Sequence, residues 1–551
     1  MNAAEAIAIH RLEIPNAEPS IALDLPATGT FSVGKSYGEA LCLDIEERKM
    51  HRRGFLAAGL ATVLASPRAL AQKKMDDMST MPDMEMSGHD MDAITQGAIM
   101  LPEGEALRAL PLLANEAARP SMFKAKLTAE AAIARFAEGL ETPILAYNGS
   151  SPGPLIEAFE GDRVEITFAN RINSEASTIH WHGMPVPADQ DGNPMDPVAA
   201  GADRVYAFDL PEGSAGSYWY HPHPHGRTAE QVYRGLAGAF VVKSKADPVP
   251  AEYGDMVLML TDLRLAADGS IAGNTMTDLM NGRVGDQVLV NGQRNPRLAV
   301  AKGDRRRLRF YNATNARFLK LAFEGAAMTI VGTDGGLIEA PVAADEILLS
   351  PGERIELVVA FDRPGPATLG TLDYDRGWMG AGRPADAGLT LLTVDVSETP
   401  GAAMPPLPTR LRPIAPLSAP AVSRRLVFAE IMAMNATGME MGFLINGKAF
   451  DMARIDIVSR AEETELWEIV NQADMDHPFH VHGTQFQVIE HERDGKVSKP
   501  PFVAWKDTVN VARGETVRLL LRQEQPGRRM YHCHILEHEQ LGMMGVLDVR
   551  A

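Results

Sequence analysis

Three sets of turn and strand signals recur at the scale of a whole domain, and this repeat constrains the fold of the chain most strongly. Each set contains an Asn-Gly pair, then a short polar turn, then an alternating apolar run that ends in asparagine. The Asn-Gly pairs begin at Asn148, Asn291 and Asn446, which are 143 and 155 residues apart. The runs RVEITFAN, RRLRFYNA and TELWEIVN alternate as strands with one buried face do. The sequence therefore predicts three homologous β-rich domains.

Glycine and proline turns are frequent and long helical patterns are scarce, which favours antiparallel sheets. We predict an all-β chain of three tandem Greek-key β-sandwich domains, although composition alone does not separate a sandwich from a barrel. The predicted segments are domain 1 over 120–248, domain 2 over 249–400, a linker over 401–424 and domain 3 over 425–551.

The chain before residue 72 carries an export signal. Arg52 and Arg53 open the segment RRGFLAAGLATVLASPRALA, and residues 50–71 have the pattern of a twin-arginine signal peptide. Its apolar run is too short and too rich in alanine to span a bilayer stably. We therefore expect export to the periplasm, or another location outside the cytoplasm, by the twin-arginine machinery. Residues 1–49 form a doubtful N-terminal extension, since such a signal normally starts a chain.

Residues 72–119 are predicted to be a methionine-rich flexible tail and a lead-in to the first domain. Six methionines and His89 lie within 75–91, without a hydrophobic period: Met75, Met78, Met81, Met84, Met86 and Met91. Thioethers select Cu(I), so this tail is a candidate Cu(I)-binding segment. A low-complexity tail without a ligand is the alternative.

Charge and cysteine content exclude two classes of protein. Lys and Arg number 53 against 72 Asp and Glu, a net charge of −19, which argues against a nucleic-acid partner. The two cysteines, Cys42 and Cys533, are too few for a disulfide framework. Cys42 precedes the signal, so the exported chain keeps a lone thiol in an oxidising compartment. A bound metal would protect that thiol.

Histidine pairs occur in the first and third repeats but not in the second. They are His180-Trp181-His182, His221-Pro222-His223, His480-Val481-His482 and His532-Cys533-His534. Residues i and i+2 of a strand point to the same face, so each pair aims two imidazoles in one direction. Eight imidazoles at one interface suit a cluster of about three metal ions. Neutral imidazole binds copper, zinc or iron, so the pairs alone leave the metal open.

Cys533 indicates copper. Its side chain faces away from those of its neighbours His532 and His534. With His477, His538 and Met543 it provides one Cys, two His and a distant Met, the composition of a blue-copper electron-transfer centre. Because Cys533 is covalently bonded to two cluster histidines, we expect a short electron path between the two centres.

The segments HWHG, WYHPHPHG, HPFHVHG and YHCHILEHEQLGM closely resemble those of the multicopper oxidases, over roughly residues 120–551. HPHPHGRT and WKDTVNV most resemble the bacterial copper-efflux (cuprous) oxidases and their laccase relatives. The resemblance implies three cupredoxin domains and an enzyme that couples one-electron oxidation of a donor to four-electron reduction of O2 to water.

The resemblance also implies four copper ions, one of type 1, one of type 2 and two of type 3. The implied ligands are His477, Cys533, His538 and Met543 for type 1; His180 and His480 for type 2; His182, His221 and His534 for one type 3 ion; and His223, His482 and His532 for the other. No ligand position is missing, which argues against the copper-free septal relatives of this family.

Asp191 and Glu539 resemble the two acids that supply protons for O2 reduction, since a positioned carboxyl group can act as a general acid. Solvated surface carboxylates are the alternative for both. We expect His225, the third histidine of HPHPH, to lie beside the filled ligand set or at the surface.

The leading donor is Cu(I), with a role in copper tolerance. Asp474, Met475 and Asp476 precede His477 and are candidate substrate-binding residues. A second group, Met432, Met434, Met439 and Met441, is expected to be core or loop methionine. A laccase-like oxidase of phenols or aromatic amines is the alternative, with ferrous or manganous ion as a further donor. A non-catalytic copper-binding envelope protein is a third hypothesis. We expect a monomer.

Overall fold

Strands form most of the regular secondary structure of this chain. The computed structural model describes residues 99–551, apart from 381, 385, 436 and 437. The predicted extension, signal peptide and methionine-rich stretch lie outside the described residues, as do the side chains of 433–440. The described strands form six sheets, and sheet pairs enclose the three largest apolar clusters. This confirms the prediction of an all-β chain of three tandem β-sandwiches.

The first sandwich has two four-stranded sheets, in the orders β2-β1-β4-β6 and β3-β8-β7-β5. Val164, Ile166 and Phe168 alternate along β4 and are fully buried, as the sequence predicted. The strands are β1 (Met122–Ala137), β2 (Leu140–Tyr147), β3 (Gly153–Phe159), β4 (Arg163–Arg171), β5 (His180–His182), β6 (Asp203–Asp209), β7 (Gly216–His221) and β8 (Gly238–Lys243).

The second sandwich has a six-stranded sheet, β10-β9-β12-β17-β14-β15, and a five-stranded sheet, β11-β19-β18-β13-β16. Its strands are β9 (Met256–Leu263), β10 (Gln287–Val290), β11 (Arg297–Lys302), β12 (Asp304–Asn312), β13 (Leu319–Glu324), β14 (Ala327–Thr333), β15 (Gly336–Ala344), β16 (Ile347–Leu349), β17 (Arg354–Phe361), β18 (Gly365–Leu372) and β19 (Thr390–Pro400).

The third sandwich repeats this architecture with the orders β21-β20-β23-β28-β25-β26 and β22-β30-β29-β24-β27. Its strands are β20 (Val422–Asn435), β21 (Gly438–Ile445), β22 (Ile457–Arg460), β23 (Thr464–Asn471), β24 (His477–Val481), β25 (Phe486–Arg493), β26 (Lys496–Ser498), β27 (Thr508–Val511), β28 (Glu515–Arg522), β29 (Gly527–Cys533) and β30 (Met544–Arg550).

Helices are short throughout the described part of the chain. They are α1 (Thr228–Tyr233), α2 (Met276–Asn281) and α3 (Leu536–Gln540), with 3-10 turns at Ala188–Gln190 and Ala251–Tyr253. None of the helices in the described residues has the length and apolar character needed to cross a membrane.

The repeated asparagines have the same structural role in each sandwich. Asn148, Asn291 and Asn446 begin tight turns with positive φ at both the Asn and the following Gly, the backbone that a type I′ turn requires. Each Asn side chain also accepts a hydrogen bond from the first strand of its own sandwich, at Thr128 N, Met259 N and Val427 N. The repeated asparagine therefore reflects one hydrogen bond, from the first strand to the turn, that forms in all three sandwiches.

Candidate metal centre

Two strand pairs carry the eight histidines of the four His-x-His segments to one place. In the first sandwich β5 pairs with β7, which sets His180 opposite His221. In the third, β24 pairs with β29, which sets His480 opposite His532. All eight side chains are fully buried. The structure therefore brings together every histidine that the sequence analysis assigned to a cluster.

Imidazoles from the two sandwiches stack on one another in parallel. The His180 ring lies 3.7 Å from the ring of His482, with an interplanar angle of 19°. The His182 ring lies 3.8 Å from that of His480, with an angle of 15°. The cluster therefore belongs to the interface, because neither sandwich completes it alone.

Hydrogen bonds on the outer side of the rings fix which nitrogen faces inward. His180 Nδ1 lies 2.9 Å from the carbonyl oxygen of Asp191, and His480 Nδ1 lies 2.8 Å from that of Asp507. A carbonyl only accepts, so each Nδ1 carries the proton and each Nε2 presents a lone pair. These two Nε2 atoms face one another at 3.4 Å.

The same arrangement recurs on the other side of the cluster. His482 Nδ1 donates to Asp191 Oδ2 at 2.9 Å, and His532 Nδ1 donates to the Cys533 carbonyl oxygen at 2.9 Å. Their Nε2 atoms lie 3.1 Å apart, and His223 Nε2 lies 3.3 Å from His532 Nε2. Facing lone pairs repel unless a cation lies between them. The donor set therefore fits metal ions, and neutral imidazole suits copper.

Three further histidines present nitrogen atoms that have no partner in the protein. They are His182 through Nδ1, His221 through Nε2 and His534 through both ring nitrogens. The three rings lie together, with the His182 and His534 centroids 4.9 Å apart and those of His221 and His534 5.7 Å apart. Buried polar atoms are rarely left unpaired, so these atoms are also suited to a metal.

Burial keeps seven of the eight imidazoles neutral. Burial is the largest cause that lowers the pKa of these groups well below the ordinary value: His182, His221, His223, His480, His482 and His534. Burial also lowers the pKa of His532 to about 3. Neutral rings are the form that binds a metal, because their lone pairs are free.

A second group of ligand atoms surrounds Cys533 in the core of the third sandwich. His477 Nδ1 lies 3.3 Å from Cys533 Sγ and 3.3 Å from His538 Nδ1. The outer nitrogens are engaged, His477 Nε2 with Glu430 Oε1 at 3.1 Å and His538 Nε2 with the Met280 carbonyl oxygen at 3.2 Å. The inward atoms are therefore two imidazole lone pairs and one thiol.

Burial raises the pKa of the Cys533 thiol well above its ordinary value, so a cation is needed to stabilise the thiolate there. Met543 is also fully buried, and its backbone bonds to both Cys533 and His538. The ligand atoms of Cys533, His477 and His538 therefore converge, and Met543 packs in the same core cluster. Sulfur and imidazole donors of this kind fit copper.

Both predicted acids lie beside the histidine cluster, and both are buried. Asp191 bonds to His482 as described, while its other carboxylate oxygen has no hydrogen-bond partner. Glu539 lies 3.7 Å from His223 Nδ1 and 3.5 Å from His532 Nδ1. Burial raises the pKa of Glu539 to about 8, so this carboxyl group is protonated at neutral pH.

The triplet before His477 has mixed surroundings. Asp474 is exposed, whereas Met475 is buried and its sulfur accepts from Arg376 at 3.7 Å. Asp476 is also buried, and it accepts from Tyr374, Asn510 and the Arg513 backbone. Both buried side chains therefore help to hold the backbone that carries His477.

Glu430 was missed by the sequence analysis, although its carboxylate contacts His477 directly. It lies 47 residues before His477, on β20. The sequence offered one indication of its role. Glu430 lies two residues before Met432, so on a strand the carboxylate and the thioether share a face. His225, the third histidine of HPHPH, is partly buried against Phe450.

Comparison with known proteins identifies the family. Models of multicopper oxidase domains match residues 128–247, 255–368 and 425–551. A multicopper oxidase of Staphylococcus epidermidis is 32% identical over 413 residues, which cover 74% of this chain and 83% of that protein. This chain belongs to the multicopper oxidase family. It is therefore an oxidoreductase that uses copper, O2 and a reducing substrate.

Two other relatives have names that indicate different roles. A solved multicopper oxidase from Campylobacter jejuni, described as a metallo-oxidase, is 43% identical with a TM-score of 0.77, over 82% of this chain and 96% of that one. The cell division protein FtsP of Photorhabdus laumondii is 32% identical over 461 residues, 80% of this chain and 92% of that protein. The family thus includes proteins named for different roles, and overall similarity does not choose between them.

Copper should stabilise the metal-free oxidase strongly. A ligand that binds only the folded state raises its stability by mass action, and copper would also relieve the repulsion between facing imidazole lone pairs. We expect the midpoint of thermal unfolding to rise when metal-free protein is titrated with copper in a calorimeter. Magnesium, which prefers oxygen ligands, is the control and should leave the midpoint unchanged. An unchanged midpoint with copper would contradict the fit of these ligands.

Proposed function

We propose that this multicopper oxidase is an exported monomer that oxidises Cu(I), couples this to four-electron reduction of O2 to water, and contributes to copper tolerance. One observation carries the choice of donor. Glu430 touches the outer edge of His477, and Met432 and Met441 lie opposite each other on the same hairpin. The twin-arginine pattern at 50–71 supports export by that route to the periplasm.

The proposed ligand assignment is the one that the sequence implied. Type 1 copper is held by His477, Cys533, His538 and Met543; type 2 by His180 and His480; and the two type 3 ions by His182, His221 and His534, and by His223, His482 and His532. When bound, copper supplies the one-electron steps and the place where O2 is reduced. Converging ligand atoms support the Cys533 centre and the set of His223, His482 and His532. Facing lone pairs support the type 2 pair, and unpaired ring nitrogens support the set of His182, His221 and His534.

The chain itself connects the two proposed centres. Cys533 belongs to the first centre, while its covalent neighbours His532 and His534 belong to the second. All three side chains are fully buried, so water is excluded from the path between them. The backbone therefore provides a short connection that does not depend on a diffusing carrier.

Asp191 and Glu539 are proposed to serve the proton side of the reaction. O2 reduction to water consumes protons, and buried carboxyl groups beside the cluster are positioned to supply them. Glu539 is the better proton store, because it is protonated at neutral pH and one of its oxygens is unpaired. Asp191 also orients His180 and His482 through its carbonyl oxygen and its carboxylate.

The β20–β21 hairpin is the proposed Cu(I)-binding surface. Its register sets Glu430 opposite Phe443 and Met432 opposite Met441. Phe443 stacks on His538 at 3.8 Å, so this face of the hairpin covers the two histidines of the Cys533 centre. Met432 is 54% exposed and Met441 is partly buried. This face therefore runs from the thioethers of Met432 and Met441, a donor type that selects Cu(I), to the Glu430 carboxylate beside His477.

Packing of the apolar core does not explain an exposed methionine on this face of the hairpin. Apolar burial would favour a methionine that is hidden, and leucine or isoleucine would serve equally well in a strand. Asp474, the exposed member of the triplet before His477, is a further candidate for donor binding. The methionine-rich segment at 75–91 remains a candidate for collecting copper.

A laccase-like oxidase is the second candidate, and the same carboxylate favours it. A phenol loses a proton when it loses an electron, and Glu430 could accept that proton at the His477 edge. Ferrous or manganous ion also suits a carboxylate ligand. A copper-binding envelope protein without turnover is the third, and it predicts no oxygen uptake with any donor.

The hairpin assignment predicts a donor-specific loss of activity. Glu430→Gln and Met432→Leu should each lower kcat/KM for Cu(I) about ten-fold, because one ligand to the substrate ion is lost. Oxidation of a phenol should change less in the Met432→Leu variant, since a phenol does not need a thioether. Met452→Leu is the control, because Met452 is exposed in the same sandwich but outside the hairpin. Equal losses on both donors would refute a dedicated Cu(I) surface.

The Cys533 centre is tested by Cys533→Ser. Serine is nearly isosteric and lacks the soft thiolate, so the variant should lose the blue absorption, one copper ion per chain and all turnover. The copper held by the histidine cluster and the far-ultraviolet circular dichroism should persist. A variant that stayed blue would be incompatible with the assignment.

The proton role is tested by Glu539→Gln and Asp191→Asn. Neither amide can donate a proton to reduced oxygen, so we expect O2 consumption to fall by about a hundred-fold. Anaerobic bleaching of the blue centre by the donor should keep its rate. Glu537→Gln is the matched control, because Glu537 is buried on the same helix but bonds Asn315 and the Arg283 backbone instead. An unchanged steady-state rate at saturating donor would count against the proton role.

A further inference from the structure

A buried ion pair lies directly behind the histidine cluster. Asp507 belongs to the WKDTVNV segment and has no exposed surface. Its carboxylate accepts two bonds from Arg354, Nη1 to Oδ1 at 2.7 Å and Nη2 to Oδ2 at 2.5 Å. Asp507 Oδ1 also lies 3.0 Å from His182 Nε2. The pair therefore touches a proposed copper ligand from the side that faces away from the cluster.

Each member of this contact comes from a different sandwich. His182 is on β5 of the first, Arg354 begins β17 of the second, and Asp507 precedes β27 of the third. Arg354 also donates to the carbonyl oxygens of Ser217 and Gly352, at 2.7 and 2.9 Å. The second sandwich contributes no histidine to the cluster, yet its arginine holds the carboxylate in place.

The carboxylate determines which nitrogen of His182 is available. An ionised carboxylate only accepts, so Nε2 must carry the proton. The Thr508 hydroxyl, also 3.0 Å from Nε2, donates to Asp507 Oδ1 and therefore accepts from His182. Nδ1 is left as the lone pair, and it is the atom without a partner.

Residue 507 acts on the cluster a second time, through its backbone. Its carbonyl oxygen accepts the Nδ1 proton of His480, at 2.8 Å. His182 and His480 are the stacked pair from opposite sandwiches. One residue thus fixes opposite tautomers in two neighbouring rings, one with Nδ1 free and the other with Nε2 free.

Close packing holds the Asp507 carboxylate in its position beside His182. Gly183, which follows His182, has φ +84°, and a Cβ there would lie 2.1 Å from Asp507 Oδ2 and 2.8 Å from Arg354 Nη2. Asp334 supports the pair from behind, since it accepts from the backbone N of Arg354 and from Lys506 Nζ.

We propose that Asp507, clamped by Arg354, is a positioning residue that sets the tautomer of His182 and so selects its Nδ1 as the ligand atom. The second sandwich, although it has no ligands, thereby takes part in building the cluster. The proposal rests on the assignment of His182 as a copper ligand under the proposed function.

Asp507→Asn tests the proposal. An amide placed beside His182 offers an N–H, and the oxygen is drawn to the Arg354 cation, so the Nε2 proton is no longer required. We expect about ten- to a hundred-fold lower copper affinity of the cluster and a changed electron paramagnetic resonance signal from its copper. The blue absorption of the Cys533 centre should keep its position, because Asp507 does not bond to Cys533, His477 or His538.

A second variant separates positioning from folding. Asp507→Asn alone leaves the buried Arg354 cation without its bidentate carboxylate partner, which lowers the thermal midpoint of unfolding. The double variant Asp507→Leu with Arg354→Met removes both charges, and it also removes the acceptor for His182 Nε2, which an asparagine could still provide once the arginine is gone. Its thermal midpoint should recover, while the copper affinity and the resonance signal of the cluster should stay perturbed.

Arg309→Met with Glu356→Gln is the matched control. That pair is equally buried, and it also joins the second sandwich to the first through Ser217, but it touches no histidine. It should leave the cluster signal and copper affinity unchanged. Recovery of the cluster in the Asp507 double variant, or a cluster in Asp507→Asn identical to the parent, would overturn the proposal. If His182→Ala kept full cluster copper, the ligand assignment itself would fail instead.

Discussion

Imidazole lone pairs that face one another across the boundary between the first and third sandwiches are the constraint on which the structure depends. Nε2 atoms that cannot carry protons lie 3.1 and 3.4 Å apart, in a region with no exposed surface. Burial keeps the rings of His480, His482 and His532 neutral, so these rings do not relieve the contact by protonation. A cation between them resolves the repulsion, and metal binding thereby becomes part of what holds the two sandwiches together.

The strand geometry explains why much of this site was predictable. A His-x-His pair on a strand aims both rings in one direction, and four such pairs in two homologous repeats must meet at a shared interface. The convergence of Cys533 with His477 and His538 was predicted instead from the ligand composition of a blue-copper centre. The asparagine turns were predictable because each repeats one hydrogen bond that every sandwich needs.

Contacts that depend on register between distant strands were not predictable. Glu430 contacts His477 although the two lie 47 residues apart in sequence, because strand pairing places β20 beside the Cys533 centre. Asp476 looked like a donor-binding acid because it adjoins His477, yet its carboxylate is already occupied by Tyr374, Asn510 and the Arg513 backbone. Asp507 stood in a recognised motif, but its role depends on an arginine 153 residues away. Sequence motifs pointed to the proposed ligands, whereas the residues that orient them come from the tertiary fold.

Oxygen uptake tests most directly whether the protein oxidises Cu(I) beside His477. Copper-loaded chain spanning 72–551 would be given stabilised Cu(I) as the only donor, with a phenol in a parallel run. We predict fast uptake with Cu(I) and slow uptake with the phenol. The reverse order would make the protein a laccase, and no uptake with any donor would contradict catalysis altogether.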